Sequence, residues 1–141
     1  MNYLITGGAG FIGSNLCKKI MKEEPNVNII CLDNLCSGSL DNLKDISNDS
    51  RFRFINMDVC DLTENYDFGV SIDKIYHLAC MASPKYYQDD PVHTLNTCFN
   101  GTQNVLKIAQ KYNARMLFSS TSEVYGDPLV QIQSENYWGC N

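Results

Sequence analysis

At 141 residues, with 44% hydrophobic and 19% charged side chains, the chain has the length and composition of one domain with its own core, which argues against disorder over most of it. A formal net charge of −5, with Arg51, Arg53 and Arg115 as the only arginines, leaves no basic stripe and argues against a nucleic-acid partner. No apolar run is long enough to cross a bilayer, no secretory leader precedes the strand expected from Tyr3, and seven cysteines without a C-x-x-C pair read as reduced thiols in a cytoplasmic protein.

Tyr3 to Thr6 reads as the first strand. Gly7, Gly8, Gly10 and Gly13 follow it, and Gly8, Gly10 and Gly13 satisfy G-x-G-x-x-G. In that pattern one glycine permits a tight turn, one lets backbone approach a pyrophosphate, and one lets helix and strand pack closely. A helix is predicted from Phe11 to about Glu23, with Phe11, Ile12, Leu16 and Ile20 on one side, and Pro25 and Asn26 break it. Val27 to Leu32 is the second strand, ending at Asp33, twenty residues after Gly13. A carboxylate there accepts hydrogen bonds from the adenosine ribose hydroxyls and repels a 2′-phosphate, so NAD is favoured over NADP. The alternative is an ordinary glycine turn with Asp33 as a strand-end residue.

Asn34 to Asp49 is polar, with a short helical hint at Leu40 and Leu43. Arg51 to Asn56 alternates as an edge-like third strand, Leu62 to Phe68 reads as a short helix or loop, and Ile72 to Leu78 is the fourth strand. In the loop that follows, Met81, Tyr86 and Tyr87 read as packing residues. Asp89 and Asp90 precede Pro91 as helix-start signals, and the helix should run to about Tyr112, counting Val92, Leu95, Phe99, Leu106 and Ile108 among its apolar residues. Met116 to Phe118 is the fifth strand. Nothing after Gly126 is periodic, so residues 1–126 read as the domain and 127–141 as a loop tail. His77 and His93 lack partners at ligand spacing, so no metal site is expected.

Strands alternating with helices imply a Rossmann-type, doubly wound parallel sheet of order 3-2-1-4-5. Its ligand should sit at the carboxyl ends of the strands, beside Gly7–Gly13, Asp33–Gly38, His77–Ser83 and Ser119–Tyr125. Asp58 and Val59, after strand three, either touch the adenine or, for Asp58, cap the next turn.

Thr6-Gly7-Gly8-Ala9-Gly10-Phe11-Ile12-Gly13, Asp33-Asn34 and His77-Leu78-Ala79 resemble the extended short-chain dehydrogenase/reductase superfamily along the whole chain. Three further stretches resemble its UDP-glucuronate decarboxylase (UDP-xylose synthase) branch: His77 to Pro84 with Tyr87 and Pro91, Ser120 to Pro128, and Glu135-Asn136-Tyr137-Trp138-Gly139. The branch uses tightly held NAD to oxidise the sugar C4 to a ketone, lose CO₂ and return hydride. The resemblance implies cofactor contacts at Gly10, Phe11, Ile12, Asp33, Asn34, Cys36, Ser37, Asp58, Val59, Leu78, Cys80, Thr97 and Ser119, besides Gly7 and Gly13 of the motif. It implies that Thr121 orients the sugar 4-hydroxyl and Glu123 stands beside the reacting carbons; otherwise Thr121 is a strand-end hydroxyl bonded to backbone and Glu123 an exposed acid. It implies UDP-sugar contact at Asn104, and Lys111 keeps a positive charge at such a position.

The chain departs from that pattern in several places. The superfamily's base is the tyrosine of Y-x-x-x-K, and no tyrosine here has lysine four residues on: Tyr137 leads to Asn141 and Tyr125 to Leu129. Asn96 stands where the branch has a substrate-contacting lysine, Cys98 where asparagine is usual, and Lys107 and Gln110 also differ. The expectation is therefore the NAD-binding portion of such an enzyme, without its sugar-binding half and inactive unless a companion chain completes it. Strand five would be an exposed edge, and the helix of residues 91–112 would lack the partner that makes the family's homodimer. The alternatives are a non-catalytic NAD-binding module, a remnant, or a relative of dTDP-glucose 4,6-dehydratase.

Overall fold

The alternation of apolar runs and helical stretches becomes a parallel sheet in the computed structural model, which describes residues 1–140. Asn141, the last residue of the expected loop tail, lies outside the described residues. The strands are β1 (Asn2–Thr6), β2 (Asn28–Asp33), β3 (Phe52–Asn56), β4 (Lys74–His77) and β5 (Arg115–Phe118), in the order β3-β2-β1-β4-β5. Every neighbouring pair is parallel, with Tyr3 opposite Ile29 and Lys74, and Lys74 opposite Arg115.

Period-two alternation sends neighbouring side chains to opposite faces, and both faces are covered. Tyr3, Ile5, Ile29 and Cys31 pack with Cys17, Ile20 and Met21 of helix α1 (Phe11–Glu23). Leu4, Ile30, Leu32 and Ile75 pack with Val105 and Ile108 of helix α4 (Thr102–Tyr112). The chain order reverses at β1, between β2 and β4, which opens a crevice at the carboxyl ends of the strands.

Several local expectations need correction. The buried residues of α1 are Gly13, Ser14, Cys17, Ile20 and Met21, whereas Phe11 and Ile12 are exposed at the crevice. The segment of residues 91–112 is helical throughout but changes pitch: α3 (Pro91–Asn96) passes through a π turn (Thr97–Gly101) into α4. Thr97, Gly101, Val105 and Ile108, at ordinary helical spacing, are buried on one face, while the apolar Val92, Leu95, Phe99 and Leu106 are exposed on another. Gly101 fits because a Cβ there would lie 2.6 Å from the Val59 side chain. A short helix α2 (Pro84–Asp89) occupies the stretch read as loop, started by Pro84 at its first turn. Residues 62–68 take the loop form of the helix-or-loop reading, held by Leu62 and Phe68 in the core.

Among the described residues β5 pairs with β4 alone, and Leu117 and Phe118 on it are each 52% exposed. Beyond a single turn of 3-10 helix (Ser122–Tyr125), the chain loops back: Cys140 N donates to Tyr125 O at 2.9 Å and Asp127 N to Cys140 O at 3.0 Å.

Candidate cofactor site

A cavity of about 990 Å³ lies at the carboxyl ends of β1, β2, β4 and β5. The glycine turn forms its floor. Gly7 has φ +71°, and a Cβ on it would lie 2.8 Å from the Leu78 carbonyl. Gly10 differs in kind: a Cβ there would approach only Gly7 O, at 3.3 Å, and would otherwise stand in the cavity. Gly10 also opens α1 without a side-chain cap. The first N–H groups of the helix, on Phe11 and Ile12, are thus left for an anion at the cavity wall.

Asp33 closes β2 and is 8% exposed. Its Oδ2 accepts from Ala9 N at 2.9 Å and its Oδ1 from Leu35 N at 2.8 Å. The two amides fix the carboxylate beside the glycine turn, and its remaining lone pairs suit a vicinal diol. Leu35, in the left-handed region at φ 61°, turns the chain so that Cys36 and Ser37 reach the cavity.

Asp58 lies one step further along the same wall. Its Oδ1 accepts from Cys60 N at 2.8 Å, while its Oδ2 accepts from Asn34 Nδ2 at 2.6 Å and meets His93 Nε2 at 2.8 Å. Burial works to raise this carboxyl's pKa, but hydrogen bonds from the Cys60 backbone, His93 and Asn34 outweigh it and hold the pKa below the ordinary value. The absence of partners for His93 is thereby corrected: ligand atoms of Asp58, Cys60 and His93 lie within 4.8 Å of one another. They come together because residue 93 is in the first turns of α3, which passes over the loop after β3. In the structure Asp58 ties this group together by hydrogen bonds.

The opposite wall is the end of β5. Ser119 Oγ donates to His77 O at 3.0 Å. Thr121 Oγ1 accepts from Glu123 N at 3.2 Å, capping the 3-10 turn, and both Thr121 and Glu123 line the cavity. The Thr121 hydroxyl keeps its own proton for a further acceptor.

The sequence profile of the GDP-mannose 4,6 dehydratase family matches residues 4–138. The chain belongs to that family. It is 50% identical over 139 residues to UDP-glucuronic acid decarboxylase 6 of Arabidopsis thaliana, covering 99% of this chain and 39% of that protein. It is 45% identical over 136 residues to UDP-glucuronic acid decarboxylase 1 of Xenopus tropicalis, covering 96% of this chain and 31% of that protein. Among solved structures, the dTDP-glucose 4,6-dehydratase DesIV of Streptomyces venezuelae, with NAD and TYD bound, superposes with a TM-score of 0.83 at 30% identity, covering 97% of this chain and 44% of that one. The chain therefore spans about two fifths of the length of the first curated relatives it matches.

In this member of the dehydratase family, all the residues expected around the cofactor line one cavity: Gly7, Gly10, Phe11, Ile12, Gly13, Asp33, Asn34, Cys36, Ser37, Asp58, Val59, Leu78, Cys80, Thr97 and Ser119. Met81, Tyr86 and Tyr87, read as packing residues, line it too: Met81 is buried, and α2 carries the tyrosines to the cavity rim. Asn104 and Lys111 are not brought to it. Asn104 Nδ2 donates to Val59 O and Cys60 O at 3.1 and 3.0 Å, and Lys111 Nζ donates to Glu64 O and Tyr66 O at 2.9 and 3.4 Å. On α4 these two side chains anchor the loop after β3 to the helix.

One further role, that of His77, emerges only in three dimensions. His77 Nδ1 lies 2.7 Å from Thr6 Oγ1 and its Nε2 lies 3.0 Å from Thr102 Oγ1, with Phe118 stacked on the ring. Burial lowers its pKa to about 4, so the imidazole is neutral at pH 7 and braces β1, β4, β5 and α4 directly behind the cavity. Its partners lie 71 and 25 residues away in the chain, so no local pattern signals them.

Proposed function

We infer that this chain is the NAD-holding part of a nucleotide-sugar enzyme that converts UDP-glucuronate to UDP-xylose and CO₂. The observation that carries the reading is the buried Asp33 carboxylate. Two backbone amides fix it beside an uncapped, glycine-opened helix start, at the wall of a cavity large enough for a dinucleotide. Asp33 accepts the adenosine ribose hydroxyls, and the start of α1 takes the pyrophosphate. Asn34, Cys36, Asp58 and Val59 line the adenine end. Leu78, Cys80, Thr97 and Ser119 flank the nicotinamide end.

When bound, NAD supplies reversible hydride acceptance, which lets a ketone be made β to the carboxylate that is lost and then removed. Thr121 orients the sugar hydroxyl, and Glu123 stands beside the reacting carbons. The sequence has no tyrosine with a lysine four residues on, so on this reading that pair comes from further polypeptide of different sequence, such as a companion chain. The exposed edge at Leu117 and Phe118 is where added polypeptide would continue the sheet. Seven cysteines without a C-x-x-C pair are the ground for a reducing, cytoplasmic setting.

Asn96 and Cys98, where the decarboxylase branch has lysine and asparagine, favour a second reading, a module that binds NAD without turnover. Calorimetric titration with NAD, with NADP as control, tests the shared part: saturable binding that prefers NAD supports both readings, and no binding by folded protein overturns both. UDP-glucuronate turnover separates them. The isolated chain should release no UDP-xylose, and adding polypeptide with the tyrosine and lysine should restore release only for the enzyme reading.

A further inference from the structure

Cys80 and Cys98 lie 18 residues apart in sequence, yet their sulfurs are 3.4 Å apart. Cys80 is in the loop that leaves β4, and Cys98 is in the π turn between α3 and α4. Both thiols are free, exposed and part of the cavity wall. The sulfurs need to approach by roughly 1.3 Å to reach disulfide bonding distance. Side-chain rotation with a small shift of the exposed loop can supply that.

What a bond would enclose gives it a role. Between Met81 and Thr97, both buried, no side chain is buried, and α2 and α3 contribute none to the core. This rim of the cavity is held by short helices and a few hydrogen bonds, among them His93 Nε2 with Asp58 Oδ2 at 2.8 Å and Thr94 Oγ1 to Asp90 O at 2.9 Å. A covalent link between its two ends would brace it.

We propose that Cys80 and Cys98 form a reversible redox modification site, closed to a disulfide by peroxide-class oxidants and opened by thiols. The chemistry balances with hydrogen peroxide as oxidant. The Cys98 sulfur takes one peroxide oxygen as the O–O bond breaks, giving a sulfenic acid and one water. The Cys80 sulfur then displaces the sulfenic oxygen, its thiol proton leaving with that oxygen as a second water. Two thiols lose two electrons and two protons, and one peroxide is reduced to two waters. Burial against the cavity wall and the neighbouring Cys98 thiol push the Cys80 pKa up to about 11, so closure is faster at alkaline pH.

The test treats the reduced, full chain with hydrogen peroxide, blocks remaining thiols and digests with trypsin, which cuts between the two cysteines at Lys85. The expected product is one joined peptide pair carrying Cys80 and Cys98, two hydrogens lighter than the separate peptides and released by dithiothreitol. Cys98→Ser should abolish the pair. In the native protein, tryptic cleavage at Lys85 should slow several-fold on oxidation and recover on reduction, which gives a readout independent of the variant's folding. The proposal is overturned if Cys36 and Cys140 oxidise while Cys80 and Cys98 stay unlinked, or if either links mainly to another cysteine. The inference needs no bound NAD, so failure of NAD binding leaves it standing.

Discussion

Replacing Asp33 by asparagine removes a charge while keeping one oxygen at nearly the same place. The native carboxylate accepts from Ala9 N at 2.9 Å and Leu35 N at 2.8 Å, and it is 8% exposed. Asparagine can accept one of these bonds and turns an N–H₂ group toward the other amide, so one buried donor is left unmatched. That costs about 1–3 kcal/mol of folding stability. Two ribose hydroxyl bonds to a carboxylate are each worth about 1.5–3 kcal/mol, and the amide keeps part of that. A net loss of about 3 kcal/mol corresponds to roughly 100-fold weaker NAD binding. NADP should lose much less, because the charge that repels its 2′-phosphate goes too. The assay is calorimetric titration of both dinucleotides into wild-type and Asp33→Asn protein, with circular dichroism to establish folding. NAD affinity within twofold of wild type in a folded variant, with unchanged discrimination against NADP, would refute the ribose assignment.

The two helix-side glycines should separate in their effects. Gly13→Ala drives a methyl group onto the Gly7 carbonyl and Gly8 Cα and should lower the thermal midpoint, whereas Gly10→Ala should unfold near the wild-type temperature and fail to bind NAD. His77 links stability to pH. Its folded pKa, about 4, lies below the ordinary 6.5, so the unfolded chain binds more protons between those values and stability falls as pH drops from about 6.5 towards 4. The full shift corresponds to about 3 kcal/mol, and urea midpoints should fall over that range in wild type but less in His77→Gln. Asp58, with its pKa held below the ordinary value, acts in the same direction at lower pH. At the sheet edge, Leu117→Lys should reduce concentration-dependent association in sedimentation velocity, and equal association in both proteins would remove β5 as the contact.

The sequence by itself determined the parallel sheet, its strand order and the position of the cavity at the carboxyl ends of the strands. Each of those rests on local pattern. Glycines at fixed spacing between a strand and a helix can serve few purposes, and an acid at the end of the next strand falls beside them once β1 and β2 pair. Short-range rules failed where the backbone left the regular repeat. The π turn at Thr97–Gly101 interrupted a helix whose extent was otherwise legible, and Pro84 started a helix in a stretch read as loop. What only the tertiary structure decided was which distant groups meet: Thr6 and Thr102 on His77, His93 on Asp58, Cys98 against Cys80, and Asn104 and Lys111 on backbone carbonyls instead of in the cavity. The reason is physical. Periodicity reports which face of an element is apolar, but a hydrogen bond or a thiol contact depends on the crossing of two elements to within an ångström, and that crossing is set by core packing that no single segment encodes.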